Sequence, residues 1–246
     1  MMIEKVEGIV INEKAYGETS KIINVITKEY GIIGIIAKGA RTLKSEFRVS
    51  TAKLSYAYFN IIYKEGKLST LVSADIINPF KSIIKDINKI SYAVYILELS
   101  EQVVKQTNQN IFDLMLSGLI KINEGYDPLI IMNIIELKYL DYLGVMPVLD
   151  RCSVCGSTNN IVTLSSDKGG YVCKNCYSTE KIISEKAIKL IRLFYYVDIS
   201  KISKLEIGDV SKKEINDFLD MYYDRYTGLY LRSKTFLKNL EKVYYA

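Results

Sequence analysis

The chain has 246 residues, of which 49% are hydrophobic and 25% are charged, and its net charge at pH 7 is +5. This composition excludes a disordered polypeptide and allows one large hydrophobic core or two or three small ones. There is no run of about 18 apolar residues, and the first residues, MMIEKVEGIVINEK, are acidic where a secretory signal needs basic side chains. The sequence therefore predicts a cytosolic protein with no membrane segment.

The first third of the chain has the apolar alternation and the β-branched enrichment of strands. Turn signals at Gly17, Gly31 and Gly66 separate these strands, and one longer connection, GARTLKSEFRVST, lies between the third and the fourth. Five short strands in one unit favour an OB-type barrel, although an SH3-like barrel or an open sheet has nearly the same pattern. The predicted strands fall within residues 3–14, 20–30, 32–40, 54–64 and 68–77.

After Pro79 the apolar period changes from two to about 3.6 residues, which predicts helices. A long amphipathic segment covers 80–107 and a second helix ends at Gly125. A third begins with Asp127 as N-cap and Pro128 in the first helical position, and its apolar character on every side predicts a buried central helix.

All four cysteines lie between residues 152 and 176, as two C-x-x-C pairs separated by 17 residues. This spacing is typical of a zinc ribbon, because each short knuckle directs two sulfurs at one ion. Gly156 and the pair Gly169-Gly170 supply turns for a hairpin that folds the second pair onto the first. The sequence therefore predicts one structural Zn²⁺ per chain, held by Cys152, Cys155, Cys173 and Cys176. Redox-active C-x-x-C motifs or disulfides are the alternative.

Three further helices follow the cysteines. Ser184 is a candidate N-cap for the first, and Ser211 with Glu214 has the spacing of a capping box for the second. The segment LRSKTFLKNLEKV predicts the last. The predicted protein is thus an α+β multidomain chain, with a five-stranded OB-type barrel in residues 1–78 and a helical domain in residues 79–246 that is interrupted by a zinc-ribbon insertion at 150–178.

The chain has no histidine, the commonest general base in enzymes. It also has no GxxxxGK[ST] phosphate loop, no GxSxG nucleophile elbow and no dinucleotide-binding fingerprint. Two carboxylates that the fold brings together remain the one open route to catalysis. The sequence therefore predicts a binding protein and not an enzyme.

Basic residues are concentrated at the end of the third strand and in the loop after it. Lys38, Arg41, Lys44, Arg48 and Lys53 have only Glu46 as an acidic neighbour in this segment, which favours contact with a phosphate backbone. Solvated charges on a loop are the plainer interpretation. On the next strand, alternation puts Tyr56 and Tyr58 on one face and Phe59 and Tyr63 on the other. One of these pairs is a candidate to stack on bases, and the alternative is that either pair belongs to the core.

The chain resembles the RecO family of bacterial recombination mediators. The resemblance rests on motifs that occur in the family's order over nearly the whole chain. They are Gly17-Glu18 before a strand, T-K-E-Y-G at 27–31, A-K-G-A-R at 37–41, L-x-x-L-G at 140–144, the paired cysteines, and Y-x-x-x-x-G-x-x-L-R-S at 223–233 followed by Phe236-Leu237.

This resemblance implies a cytoplasmic, nucleoid-associated protein without catalytic activity. Such a protein binds single- and double-stranded DNA and anneals complementary strands. It contacts the acidic tail of single-strand-binding protein, and with RecR it loads RecA. By motif, the resemblance assigns DNA contact to Lys38 and Arg41, and further to Lys44 and Arg48. Arg225, Arg232 and Lys234 form a second candidate surface, although Arg232 has a buried carboxylate as an alternative partner.

Two other classes of protein fit the same residues. The first is a zinc-ribbon accessory protein that binds RNA through the same barrel and basic segment. The second is an adaptor without affinity for nucleic acid, in which the knuckle and the helices make only protein contacts.

Overall fold

The structure is a computed structural model, and it describes residues 2–244 of the chain. The chain forms two compact units, the first made of Met1–Glu124 together with Ser233–Ala246 and the second of Gly125–Arg232. The second unit is therefore inserted in the sequence of the first. The predicted division into domains 1–78 and 79–246 stays a prediction.

Five strands form a closed barrel in the order β1-β2-β3-β5-β4. All neighbours are antiparallel except β3 and β5, which pair in parallel through Ile35 with Ser69 and Ile36 with Thr70 and so close the barrel. The order and the closure confirm the OB-type barrel and exclude an open sheet. The strands are β1 (Ile3–Tyr16), β2 (Ser20–Thr27), β3 (Gly31–Ala37), β4 (Tyr56–Ile62) and β5 (Ser69–Asn78).

The barrel interior follows from the period of two along each strand. On β2, Ile23 and Val25 are fully buried in the barrel core. The alternating residues Ile22 and Asn24 are half-buried on the outer face. Phe59 is fully buried in the same core from β4. Tyr56, on the opposite face of β4, packs against the rings of Phe80 and Phe112.

The connection between β3 and β4 contains a short helix, α1 (Phe47–Ser50), that the sequence pattern did not indicate. Phe47 packs against the barrel core and so fixes this connection. The Thr51 hydroxyl and its backbone N–H both donate to the Phe47 carbonyl, which ends the helix after one turn.

The helix predicted over residues 80–107 is two helices, α2 (Lys81–Ile84) and α3 (Ile87–Thr107). The single-helix prediction is wrong because Asp86 adopts an extended backbone and its carboxylate accepts hydrogen bonds from the backbone N–H groups of Asn88 and Lys89. An N-cap therefore starts a new helix there. The next helix, α4 (Phe112–Glu124), ends before Gly125, whose φ of 105° suits glycine.

The second unit is built on α5 (Pro128–Tyr142), and the Asp127 carboxylate caps this helix as predicted. Ten of its 15 residues are buried, which confirms the central helix, and it packs against α6 (Glu185–Tyr196) and α7 (Asp209–Tyr226). Buried Tyr223 on α7 donates a hydrogen bond of 2.8 Å to the Glu136 carbonyl of α5.

The capping box predicted at Ser211 and Glu214 is wrong. Helix α7 begins earlier, at Asp209, so Ser211 is a buried residue inside the helix. The Glu214 carboxylate instead accepts hydrogen bonds from the backbone N–H and the hydroxyl of Ser184, at 3.1 Å and 2.5 Å, while the Ser184 hydroxyl caps α6 through Ala187 N–H. Glu214 thus contacts a serine 30 residues earlier in the chain and not Ser211.

The last helix, α8 (Arg232–Tyr244), returns to the first unit. Both the backbone N–H and the hydroxyl of Ser233 donate to the carboxylate of Glu98 on α3, the N–H at 2.9 Å. Among the residues described, no helix combines the length and the apolar character needed to cross a membrane.

Candidate metal centre and nucleic-acid surface

The four cysteines are placed by a small sheet in the order β6-β8-β7, made of β6 (Val148–Cys152), β7 (Ile161–Ser165) and β8 (Gly170–Cys173). One cysteine of each pair ends a strand, Cys152 on β6 and Cys173 on β8. Each is followed by a tight turn, closed by Gly156 N–H to the Cys152 carbonyl at 2.9 Å and by Cys176 N–H to the Cys173 carbonyl at 3.0 Å. Gly156 has a φ of 77°, as its predicted role in a turn requires.

The sulfur atoms form one cluster. All four lie within 4.8 Å of one another, and the Sγ atoms of Cys155 and Cys173 are 3.6 Å apart. Four thiolates at about 2.3 Å from one tetrahedral ion have sulfur atoms separated by about 3.8 Å. The cluster therefore has the size and the chemistry of a four-thiolate metal site. All four are free cysteines and none is joined in a disulfide.

The hydrogen bonds around the cluster favour thiolate at Cys152 and the protonated thiol at Cys176. Burial raises the pKa of the Cys152 thiol, but the backbone hydrogen bonds from Cys173, Cys155 and Val154 outweigh it and lower the pKa to about 6. The hydrogen bond with Cys155 is the main cause that raises the pKa of Cys176 to about 12. The two pKa shifts are opposite because the cysteines hydrogen-bond to one another, and thiols lose their protons when they bind a divalent cation.

The parallel pairing of β6 with β8, which brings the two knuckles together, depends on a glycine at position 170. A Cβ atom there would lie 2.4 Å from the carbonyl oxygen of Val148 and 2.7 Å from its nitrogen. We expect Gly170→Ala to lower the free energy of unfolding by about 3 kcal/mol, since backbone atoms cannot yield as a flexible side chain does. Urea unfolding measures the change.

Gly228→Ala is the matched control in the same unit. Its φ is 63° and no atom lies within 4 Å of the added Cβ, so only the cost of a left-handed backbone applies, about 1–2 kcal/mol. Equal losses for the two variants would contradict the close approach of β6 and β8.

The predicted DNA residues of the barrel lie on the segment after β3. Lys38, Lys44 and Arg48 are exposed, and Lys38 directly follows the strand. Arg41 is also exposed, but its guanidinium already donates to the carbonyl oxygens of Gly17 and Glu18, at 3.0 Å and 3.2 Å. All four cations are thus presented to solvent, and Arg41 also holds the turn between β1 and β2.

The aromatic side chains on and directly after β4 all have contacts within the protein. Phe59 and Tyr56 are buried, so neither ring is available to a base. The other member of each predicted pair is already covered, because Lys5 lies 4.1 Å from the ring centre of Tyr58 and Tyr63 stacks on Tyr30 at 4.5 Å. The structure thus gives all four rings contacts within the protein, which fits the core alternative for Tyr56 and Phe59, and base stacking by Tyr58 or Tyr63 stays a prediction.

The second candidate surface is divided between the two units. Arg225 belongs to the second unit, where its guanidinium donates to the Asp167 carboxylate at 2.7 Å, so part of its charge is balanced. Arg232 is exposed at the start of α8, and Lys234 is half-buried on the same helix.

The fold and the site define a class of protein, in which an OB-type barrel with a basic segment shares its chain with a helical unit that carries a four-cysteine cluster. Family models match the chain over residues 1–80, as the N-terminal part of recombination protein O, and over residues 84–235, as its C-terminal part. The chain belongs to the RecO family.

Curated relatives carry the name DNA repair protein RecO. A relative from Listeria monocytogenes serotype 4b (strain CLIP80459) is 36% identical over 245 residues, covering 98% of this chain and 96% of the relative. Relatives from Bacillus pumilus and Bacillus subtilis are 37% and 34% identical over 247 residues, with the same coverage of each chain. The resemblance read from the sequence motifs is thereby confirmed.

Proposed function

We propose that this protein acts in DNA repair and recombination as a non-enzymatic mediator that binds single- and double-stranded DNA and anneals complementary strands. With RecR it helps to load RecA onto strands covered by single-strand-binding protein. The observation that carries the proposal is the exposed basic segment of Lys38, Arg41, Lys44 and Arg48 on an OB-type barrel, in a chain of the RecO family.

Annealing follows from charge neutralisation. Two strands repel each other through their phosphates, and cations that contact both of them lower this repulsion and raise the local concentration of the strands. Base pairing then supplies the specificity, so the protein needs no contact with base edges. The same account requires that affinity falls steeply as salt is added, since each phosphate contact releases a counterion.

Zinc is the proposed ion of the cysteine cluster, one per chain, held by Cys152, Cys155, Cys173 and Cys176. Bound there, it supplies a cross-link between the two knuckles and no reaction chemistry, because four thiolates leave no coordination position for water. This part of the proposal is supported by the separation of the sulfur atoms and by their freedom from disulfides.

The contacts with RecR, with the acidic tail of single-strand-binding protein and indirectly with RecA rest on family membership alone. So does the cytoplasmic, nucleoid-associated location. For DNA, Arg225, Arg232 and Lys234 stay proposed contacts, and Asp167 already balances part of the charge of Arg225.

The experiment is the rate at which two complementary DNA strands anneal with the natural chain and with a Lys38→Glu, Arg48→Glu double variant. Both side chains are exposed, so the variant keeps the packing of the barrel. We expect the natural chain to accelerate annealing and the variant to lose at least tenfold of that acceleration, since reversing two charges removes two contacts and adds repulsion, at about 1.4 kcal/mol for each factor of ten.

The control is Lys201→Glu with Lys204→Glu, which makes the same change in net charge at two exposed positions of the second unit. It is expected to anneal at the natural rate. Equal losses in the two variants would mean that only net charge matters. No acceleration by the natural chain would contradict the proposal, and a preference for structured RNA would favour the RNA-binding alternative.

A further inference from the structure

The turn between β1 and β2 carries an exposed tyrosine on the outer face of the barrel. Tyr16 is the last residue of β1, pairs with Ser20 across the turn, and is 51% exposed. Because Ile23 and Val25 on β2 face the core, the alternating positions Ser20 and Ile22 face outward. Paired residues share a face, so Tyr16 faces outward as well.

Arg41 fixes this turn from the neighbouring connection. Its guanidinium donates to the carbonyl oxygens of Gly17 and Glu18, and its backbone N–H donates to the Thr19 carbonyl at 2.8 Å. All three residues between Tyr16 and Ser20 are thus bound by one arginine. The backbone turn that follows Tyr16 is therefore held by the same segment that carries the exposed cations.

Cations occur near Tyr16 along the barrel. Lys14, two residues before Tyr16 on β1, pairs with Ile22 and is exposed. Lys38 is exposed directly after Ala37, whose partner on β2 is Lys21. The acidic neighbours of the turn are Glu18, which is exposed, and Glu13, which forms an ion pair with Lys21. Two exposed lysines that are separate from that ion pair thus lie on the strand of Tyr16 and at the end of β3.

We propose that Tyr16 is a base-stacking residue for single-stranded DNA and that Arg41 is a positioning residue for it. This inference rests on the proposed function and adds a contact that the basic segment alone does not supply. Lysines hold the phosphates, while an aromatic ring binds a base through its flat surface whatever the base is. Duplex DNA keeps its bases stacked inside, so the ring distinguishes single strands from duplexes.

The test is the affinity for a dye-labelled oligothymidine, measured by fluorescence anisotropy at several salt concentrations, with a duplex of equal length beside it. We expect Tyr16→Ala to weaken single-strand binding about tenfold, with an unchanged salt slope and unchanged duplex binding. Tyr16→Phe keeps the ring and is expected to bind as the natural chain does. Lys38→Ala is expected to lower the salt slope by about one for both DNAs.

Arg41→Lys separates positioning from phosphate contact. It keeps the charge but cannot hold two carbonyl groups as a guanidinium does, so we expect weaker single-strand binding with the natural salt slope. Tyr196→Ala, at a tyrosine 67% exposed outside the barrel, is the control and is expected to change nothing.

The outcomes separate the two proposals. A natural chain that binds neither DNA overturns the proposed function together with this inference. A natural chain that binds, with Tyr16→Ala binding single strands equally well, overturns the stacking role alone. An equal loss for single strands and duplexes in Tyr16→Ala also overturns it, since stacking acts only on accessible bases. Natural affinity in Arg41→Lys overturns the positioning role.

Discussion

Replacing Cys173 with serine is expected to abolish metal binding and to unfold the small sheet that carries the cysteines. Cys173 is buried, its Sγ lies 3.6 Å from that of Cys155, and its N–H donates to the Cys152 sulfur at 3.5 Å. In isolated zinc-finger peptides, structural zinc contributes about 10–16 kcal/mol, so even a third of that exceeds the usual effect of a point mutation. Metal analysis of the purified variant and urea unfolding measure the two effects.

Val154→Ser is the matched control for Cys173→Ser. Val154 lies between the first two cysteines and is 56% exposed, so its replacement changes the knuckle without removing a ligand or a core contact. We expect the Val154→Ser variant to bind one zinc per chain and to have the stability of the natural chain. A Cys173→Ser variant that keeps zinc, or a natural chain that contains none and resists chelators, would show that the cluster is not a structural metal site.

Phe59→Ala is expected to lower the stability of the barrel by about 3–5 kcal/mol, the range for aromatic residues removed from a core. Phe59 is fully buried among residues from all five strands. The loss is the sum of the transfer free energy of the ring and the free-energy cost of the cavity that the ring leaves. The cavity persists because strands held in a closed barrel cannot collapse into the space. Urea unfolding followed by circular dichroism reports the change in midpoint.

Tyr58→Ala tests the neighbouring position on the opposite face of the same strand. Tyr58 is half-buried and contacts Lys5 by a cation–π interaction, so we expect a loss of about 1 kcal/mol. The ratio between the two losses measures the alternation of β4. Similar losses at positions 58 and 59 would indicate that the strand does not have one face in a core.

The parts of the fold that depend on local chemistry were predictable from the sequence. Alternation located all five strands, because each has one face in the barrel core. Asp127 with Pro128 located the start of α5, and Ser184 located the start of α6, since a cap needs only residues within one turn. The clustering of the four cysteines followed from their spacing, which depends on two short turns.

The parts that depend on distant residues were not predictable. Glu214 lies three residues after Ser211, as in a capping box, but its carboxylate binds Ser184, and nothing in the local sequence distinguishes the two partners. The break at Asp86 carried a readable signal, an aspartate before a new apolar period, which the longer helical pattern obscured. The spacing of Val148 and Gly170 reflects a parallel pairing that no short segment encodes.

For the candidate DNA surface, the sequence predicted only where the basic residues are concentrated. Composition located Lys38 and Arg41, but the second role of Arg41 requires the turn at Gly17 and Glu18 to be next to it in space. Tyr16 directly precedes the turn signal at Gly17. Its exposure distinguishes it from Tyr56, and exposure is a property of the packed barrel and not of the strand pattern.

The return of α8 to the first unit has a consequence for synthesis on the ribosome. The hydrogen bonds from Ser233 to Glu98 join residues 135 positions apart, and every residue of the inserted unit is translated between them. Helix α3 leaves the ribosome long before its partner exists, while the second unit has its whole sequence available earlier. The order of completion is therefore expected to differ from the order of the chain, with the inserted unit finished before the unit that contains the first residue.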